Sequence, residues 1–106
     1  MKIRYLMCML AGLSVSATAF AAGDAAALFI KNKCNACHME DKRLLGPKLK
    51  DIAARYAGDP GAQAMLEKKV RSGGSGAWGT MPMPRVSNWV SDADIKTLVT
   101  WILSQK

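Results

Sequence analysis

Cys34-Asn35-Ala36-Cys37-His38 is the stretch that decides the reading of this chain. Its spacing, C-x-x-C-H, is the attachment signature of c-type haem. Two thiols three residues apart can form thioethers to the two vinyl groups on one side of a porphyrin. The next residue, His38, is then placed to put a ring nitrogen on the iron. A thioredoxin-like C-x-x-C calls for a nearby βαβ pattern, and the sequence holds none. A structural zinc site needs four ligands. Cys34, Cys37 and His38 supply three, no second cysteine pair follows, and adjacent Cys37 and His38 suit one tetrahedral ion poorly.

The chain around this motif has 106 residues, room for one small domain. Its first stretch reads as a secretory leader. Lys2 and Arg4 form a positive start, Leu6 to Val15 is mostly apolar, and Ala19-Phe20-Ala21 has small residues where a signal peptidase reads. Cleavage is expected after Ala21, giving a leader of residues 1–21 and a domain of residues 22–106. The apolar stretch is short for a membrane span of about 20 residues. Cys8 follows Met7, where a lipoprotein signal needs a small residue. Export fits the motif, because c-type haem is attached outside the cytoplasm.

The remaining domain of 85 residues is small for a self-sufficient core. Of three cysteines, Cys8 leaves with the leader and the motif pair remains. Losing Lys2 and Arg4 takes Lys and Arg from 15 to 13 against 8 acidic residues, a net charge of about +5 with the single histidine neutral. That balance suits an acidic protein partner or an anionic surface. No nucleic-acid motif is present.

The pattern along the domain is helical. Asp24 is placed to cap a helix through Ala25 to Ile30 that stops near Lys33. Asp41 to Pro47 reads as loop. Leu49 to Tyr56 supports a short helix ended by Gly58. Asp59-Pro60 restarts the chain with aspartate as cap and proline in the first turn. The helix that follows carries Met65, Leu66 and Val70 at core spacing and ends at Gly73-Gly74. Ser72 to Arg85 holds four glycines and two prolines, so no regular structure is expected there. Ser91 and Asp94 form a capping-box-like pair before Ile95, Leu98, Val99 and Ile102. The expectation is an all-α domain of about four helices, with long loops wrapped around one covalent haem.

His38 is the only histidine, so a second histidine of this chain cannot bind the iron. Met39 neighbours His38 and cannot reach the opposite face. Met65 reads as packing. Met81 and Met83 lie in Gly79-Thr80-Met81-Pro82-Met83-Pro84, a proline-stiffened loop. Spacing alone does not choose between them, though Met83 is better placed, between two prolines.

The whole of Asp24 to Lys106 resembles the small bacterial class I cytochromes c, electron shuttles of denitrifying and respiratory chains. The resemblance rests on Leu28-Phe29, the Cys34–His38 motif, Gly46-Pro47, Asp51-Ile52-Ala53-Ala54, Trp78-Gly79, Pro82-Met83-Pro84, Val90-Ser91-Asp92 and Trp101 to Lys106. It implies Met83 as axial ligand opposite His38. It implies Pro47 as the carbonyl that accepts the imidazole proton, Trp78 as a partner of a haem propionate, and Asn88 as an amide near the axial sulfur. Phe29 and Trp101 match a contact between the first and last helices. The stretch Arg85 to Trp89 is about two residues longer than the usual pattern and adds Trp89.

The implied function is a soluble periplasmic electron carrier with one haem c and no enzymatic activity. Two strong axial ligands leave iron no open position, which favours outer-sphere transfer. A thioether ligand raises the potential relative to two imidazoles. The expected partners are redox proteins: a membrane-complex donor, and a nitrite reductase or terminal oxidase as acceptor. A monomer without stable membrane insertion is expected. Two readings compete. A haem enzyme or gas sensor would need Met83 to leave the iron, and a peroxidase needs a distal acid–base residue. A subunit of a larger complex would co-purify with a fixed partner.

Overall fold

The computed structural model describes residue 12 and residues 18–106. Lys2, Arg4, Cys8 and, apart from Gly12, the apolar stretch of the expected leader lie outside the described residues. Four helices follow: α1 (Thr18–Lys31), α2 (Leu49–Arg55), α3 (Ala62–Ser72) and α4 (Asp92–Leu103). A 3₁₀ turn at Cys34–Ala36 lies between α1 and α2. A small antiparallel ribbon, β1 (Gly74–Gly76) with β2 (Gly79–Met83), lies between α3 and α4.

Helix α1 begins at Thr18, so Asp24 lies inside it and caps nothing. An alanine-rich run upstream carries the helical pattern past the aspartate. The other end stops where expected. Leu28 O accepts twice from Asn32, from its backbone N–H at 3.0 Å and from its side-chain amide at 2.9 Å. Lys33 then takes a left-handed conformation, φ 59° and ψ 24°. Helix α3 starts at Ala62, two residues beyond the Asp59-Pro60 start. The Asp59 carboxylate accepts from Gly61 N–H at 2.8 Å, closing a turn before the helix instead of capping it. At α4 the expected cap is present: Ser91 Oγ accepts from Asp94 N–H at 3.0 Å.

The ribbon departs from the sequence reading. Within Ser72 to Arg85, Gly74 to Met83 forms a hairpin whose glycines supply what the tight turn needs: Gly74, Gly76 and Gly79 all have positive φ. Gly74 pairs with Met83 and Gly76 with Gly79, with an irregularity between. A two-stranded ribbon leaves one side of each strand unpaired, so Pro82 is accommodated within it.

The core divides into two clusters that share α4. Phe29, Leu49, Ile52 and Leu98 form one; Val70, Val90, Ile95 and Val99 form the other. On α4, Leu98 and Ile102 form one stripe four residues apart, and Ile95 and Val99 form the next. Leu66 of α3 packs against both clusters. Phe29 meets Trp101 edge to face, with ring centroids 5.4 Å apart, joining α1 to α4. Tyr56 also packs on the first cluster. Met65, expected in the core, is exposed, because α3 turns Leu66 and Val70 inward and leaves Met65 outside that stripe.

Lys33 holds its left-handed conformation without a glycine's freedom. Lys33→Gly is expected to raise stability by about 0.5–1 kcal/mol, the left-handed cost less the extra freedom of an unfolded glycine. For a domain of this size that is about 2–8 °C in the thermal midpoint of the holoprotein. Lys33→Val should lower it, since a β-branched residue tolerates positive φ worst.

Candidate haem site

The motif residues sit on one turn. With α1 ended at Lys31 and Lys33 left-handed, Ala36 N–H donates to Lys33 O, and the N–H groups of Cys37 and His38 both donate to Cys34 O, at 3.1 and 2.9 Å. That winding brings Cys34, Cys37 and His38 to one short segment, all three half-buried. Cys34 packs against the first cluster, and neither cysteine is in a disulfide. Burial pushes the Cys34 thiol up; a backbone hydrogen bond opposes this, and Cys37 adds to it. A raised thiol stays protonated at neutral pH, which is unlike a nucleophilic or redox-sensing cysteine. Among the described residues, no three His, Cys, Asp or Glu side chains converge where a metal ion could be held.

The loop after the motif folds back on it. Gly46 N–H donates to Cys37 O at 2.9 Å, and His38 and Arg43 form a short backbone bridge. Leu49 N–H donates to Met39 O at 2.8 Å and Lys50 N–H to Glu40 O at 3.3 Å. The first turn of α2 thus satisfies its donors on carbonyls just beyond His38. Within this frame His38 Nδ1 lies 2.7 Å from Pro47 O. A carbonyl can only accept, so Nδ1 carries the proton, and in the neutral ring Nε2 then keeps its lone pair. Pro47 is buried.

Gly46 was quoted in the sequence pattern without a role, and the structure gives it one. A Cβ at Gly46 would lie 2.6 Å from His38 Cε1 and 2.9 Å from Nδ1. The imidazole lies flat against that glycine. The only sequence signal was its position beside Pro47.

Trp78 is half-buried against the first cluster. The Arg55 guanidinium stacks over its indole at 4.6 Å and donates to Ala77 O at 2.6 Å. Arg55 also lies over the Tyr56 ring at 5.6 Å. Sequence reasoning had no signal for this arginine. Met83 is half-buried against the second cluster, whereas Met81 is 59% exposed. Asn88 is exposed in the turn before Val90, and the neighbouring Trp89 is 91% exposed.

Of the basic residues around the motif, Lys50 is paired with Asp41, which pushes its amine up by hydrogen bonding and by charge. Lys48 lies 3.8 Å from Asp51. Lys31, Lys33, Lys42 and Arg43 are exposed.

The donor set fits a covalent haem. Two thiols share a turn with an imidazole whose Nε2 is left free by its partner, and a thioether side chain is held on the other half of the core. Gly46→Ala should force the imidazole away from Pro47 O and destabilise the holoprotein by about 1–3 kcal/mol, as overpacking does. Pro47→Ala keeps the backbone acceptor and should cost less. Thermal melts of both holoproteins check the order.

The comparisons agree with this geometry. The family model described as Cytochrome c matches residues 22–106. The chain is 42% identical over 106 residues to cytochrome c-551 of Pseudomonas aeruginosa, covering all of both chains. It is 51% identical over 76 residues to cytochrome c-552 of Nitrosomonas europaea, 72% of this chain and 73% of that one. The crystal structure of that wild-type cytochrome superposes with a TM-score of 0.72 at 51% identity, covering 76% of this chain and 99% of the other. The class 1 cytochrome MtoD from Sideroxydans lithotrophicus superposes with a TM-score of 0.69 at 35% identity, over 78% and 94%. A motif turn that fits covalent haem, a mostly helical fold and matches that span the domain lead to one conclusion: this chain belongs to the cytochrome c family, has the class I fold, binds one covalent haem c and carries electrons between redox proteins.

Proposed function

We propose that the chain is an exported, soluble electron carrier of a respiratory chain, with Cys34 and Cys37 as the thioether residues and His38 and Met83 as axial ligands. The observation that carries the reading is the 2.7 Å contact between His38 Nδ1 and Pro47 O. It fixes the tautomer that leaves Nε2 as a donor to iron. Met83 is favoured over Met81 by its seat against Val70, Val90, Ile95 and Val99. The haem, when bound, supplies a one-electron couple. The chain's residues hold, orient and shield it.

Trp78, locked by Arg55, is the proposed contact for a propionate, and the arginine adds positive charge beside it. Asn88 keeps the role near the axial sulfur that the resemblance implies. Among the described residues no helix is long and apolar enough to cross a membrane. The mature chain starts at Ala22 in this reading, which the first residue of the family match supports. A membrane complex is the proposed donor, and a nitrite reductase or terminal oxidase the proposed acceptor. Docking by the basic surface falls to Lys31, Lys33 and Lys42 ahead of Lys48 and Lys50, whose charges are partly met by Asp51 and Asp41.

Met83→Ala should abolish the weak charge-transfer band at the red end of the ferric spectrum, and Met81→Ala should leave it in place. The reverse result would assign the site to Met81. Intact mass of the same preparations should equal residues 22–106 plus one haem.

A further inference from the structure

The last turn of α3 holds the segment after Met83 at three points. Val70 O accepts from Val86 N–H at 3.3 Å. Gly73 packs its bare Cα against the Met83 carbonyl, and a Cβ there would come within 2.8 Å of Arg85 N. Between them, Arg71 reaches across to the turn that follows. Its Nη2 donates to Val90 O at 2.6 Å and to Asp92 Oδ1 at 2.7 Å, and its Nη1 donates to Ser87 O at 3.4 Å. Val90 N–H donates to Ser87 O at 3.1 Å, so one guanidinium binds both carbonyls that bracket the turn.

That turn has little else to fix it. Arg85, Ser87, Asn88 and Trp89 are exposed, and only Val86 packs on the core before Val90. Upstream of Met83 the chain is the glycine-rich ribbon, whose positive-φ residues are the least restrained by their own backbones. A methionine that must keep its sulfur in place therefore draws on its downstream tether as well as on its pairing with Gly74. The guanidinium suits the task, because it offers several donors in a rigid planar fork and cannot lose its charge.

We propose that Arg71 is a positioning residue for Met83: it clamps the Ser87–Val90 turn to α3 and so holds the methionine on the second cluster. The proposal rests on Met83 being the axial ligand. It assigns the work to the two carbonyls and not to the ion pair, since the Asp92 side chain is 95% exposed and a surface pair of that kind is weak.

The test is competition by imidazole for the ferric iron of the holoprotein, followed by loss of the charge-transfer band. Arg71→Gln should raise the apparent affinity for imidazole about tenfold, the factor expected for one lost charge-assisted hydrogen bond. Arg71→Lys keeps the charge but offers a point donor in place of the fork. It should fall between the two, and it serves as the test if Arg71→Gln yields no holoprotein. Asp92→Asn should stay within about twofold of the parent, as a weak surface pair implies. Ile102→Val, in the first cluster, is the control: it should lower the thermal midpoint without changing imidazole affinity. If Arg71→Gln or Arg71→Lys lowers the midpoint as Ile102→Val does and leaves imidazole affinity unchanged, Arg71 is only a stabilising residue and the proposal is wrong. If Met83→Ala keeps the charge-transfer band, the ligand assignment fails and the proposal falls with it.

Discussion

One hydrogen bond organises this protein: His38 Nδ1–H to the Pro47 carbonyl, 2.7 Å long and joining residues nine apart in the chain. It needs the motif turn to present the ring, a glycine at position 46 to let the ring lie flat, and a buried Pro47 to hold the acceptor. The same loop ties down the start of α2 by giving it the Met39 and Glu40 carbonyls. The chemistry and the folding of this half of the domain therefore share one set of bonds. A change that moved the imidazole would also disturb the cap of α2, and through Leu49 and Ile52 the first cluster.

The second half of the site depends on α4. Cys34 packs on the cluster around Leu98, and Met83 packs on the cluster around Ile95 and Val99. One helix thus carries both halves on adjacent stripes, with Leu66 of α3 bridging them. In a domain of 85 residues neither cluster is large. Each is a wall more than a core, and a haem held by the motif turn would find apolar surface to bury against them. This is the physical reason why long loops are tolerated in so small a fold.

Much of this was legible in the sequence, and the boundary between what was and was not has a cause. The motif, the terminator at Lys33, the Ser91 cap and the 95–98–99–102 stripe are local patterns, and each depends on residues within a few positions. The resemblance reaches further, to roles for Pro47, Trp78 and Met83, because it reads the chain as a whole; of these the structure shows the contact of His38 with Pro47. What stayed hidden was tertiary. Met65 shares α3 with Leu66 and Val70, and only the way α3 packs against α4 shows that it points outward. The ribbon at Gly74–Met83 was missed because glycine and proline argue against strands in general, while a hairpin of two short strands uses glycine's positive φ to turn. Arg55 and Arg71 gave no signal at all: a lone arginine on a helix usually reads as solvated surface.

Those two arginines show how the domain manages the loops that its short helices leave exposed. Arg55, at the end of α2, stacks on Trp78 and holds the Ala77 carbonyl; Arg71, at the end of α3, holds the Ser87 and Val90 carbonyls. Both sit in the last turn of a helix, where positive charge meets the negative end of the helix dipole. Both turn their donors on loop carbonyls. The arrangement gives a small protein rigidity without a larger core, because a planar fork fixes direction as well as distance. One arginine steadies the tryptophan proposed to meet a propionate, and the other steadies the methionine proposed to meet the iron. Trp78, in the turn of the ribbon, and Met83, at the end of its second strand, are thus both held from helix ends.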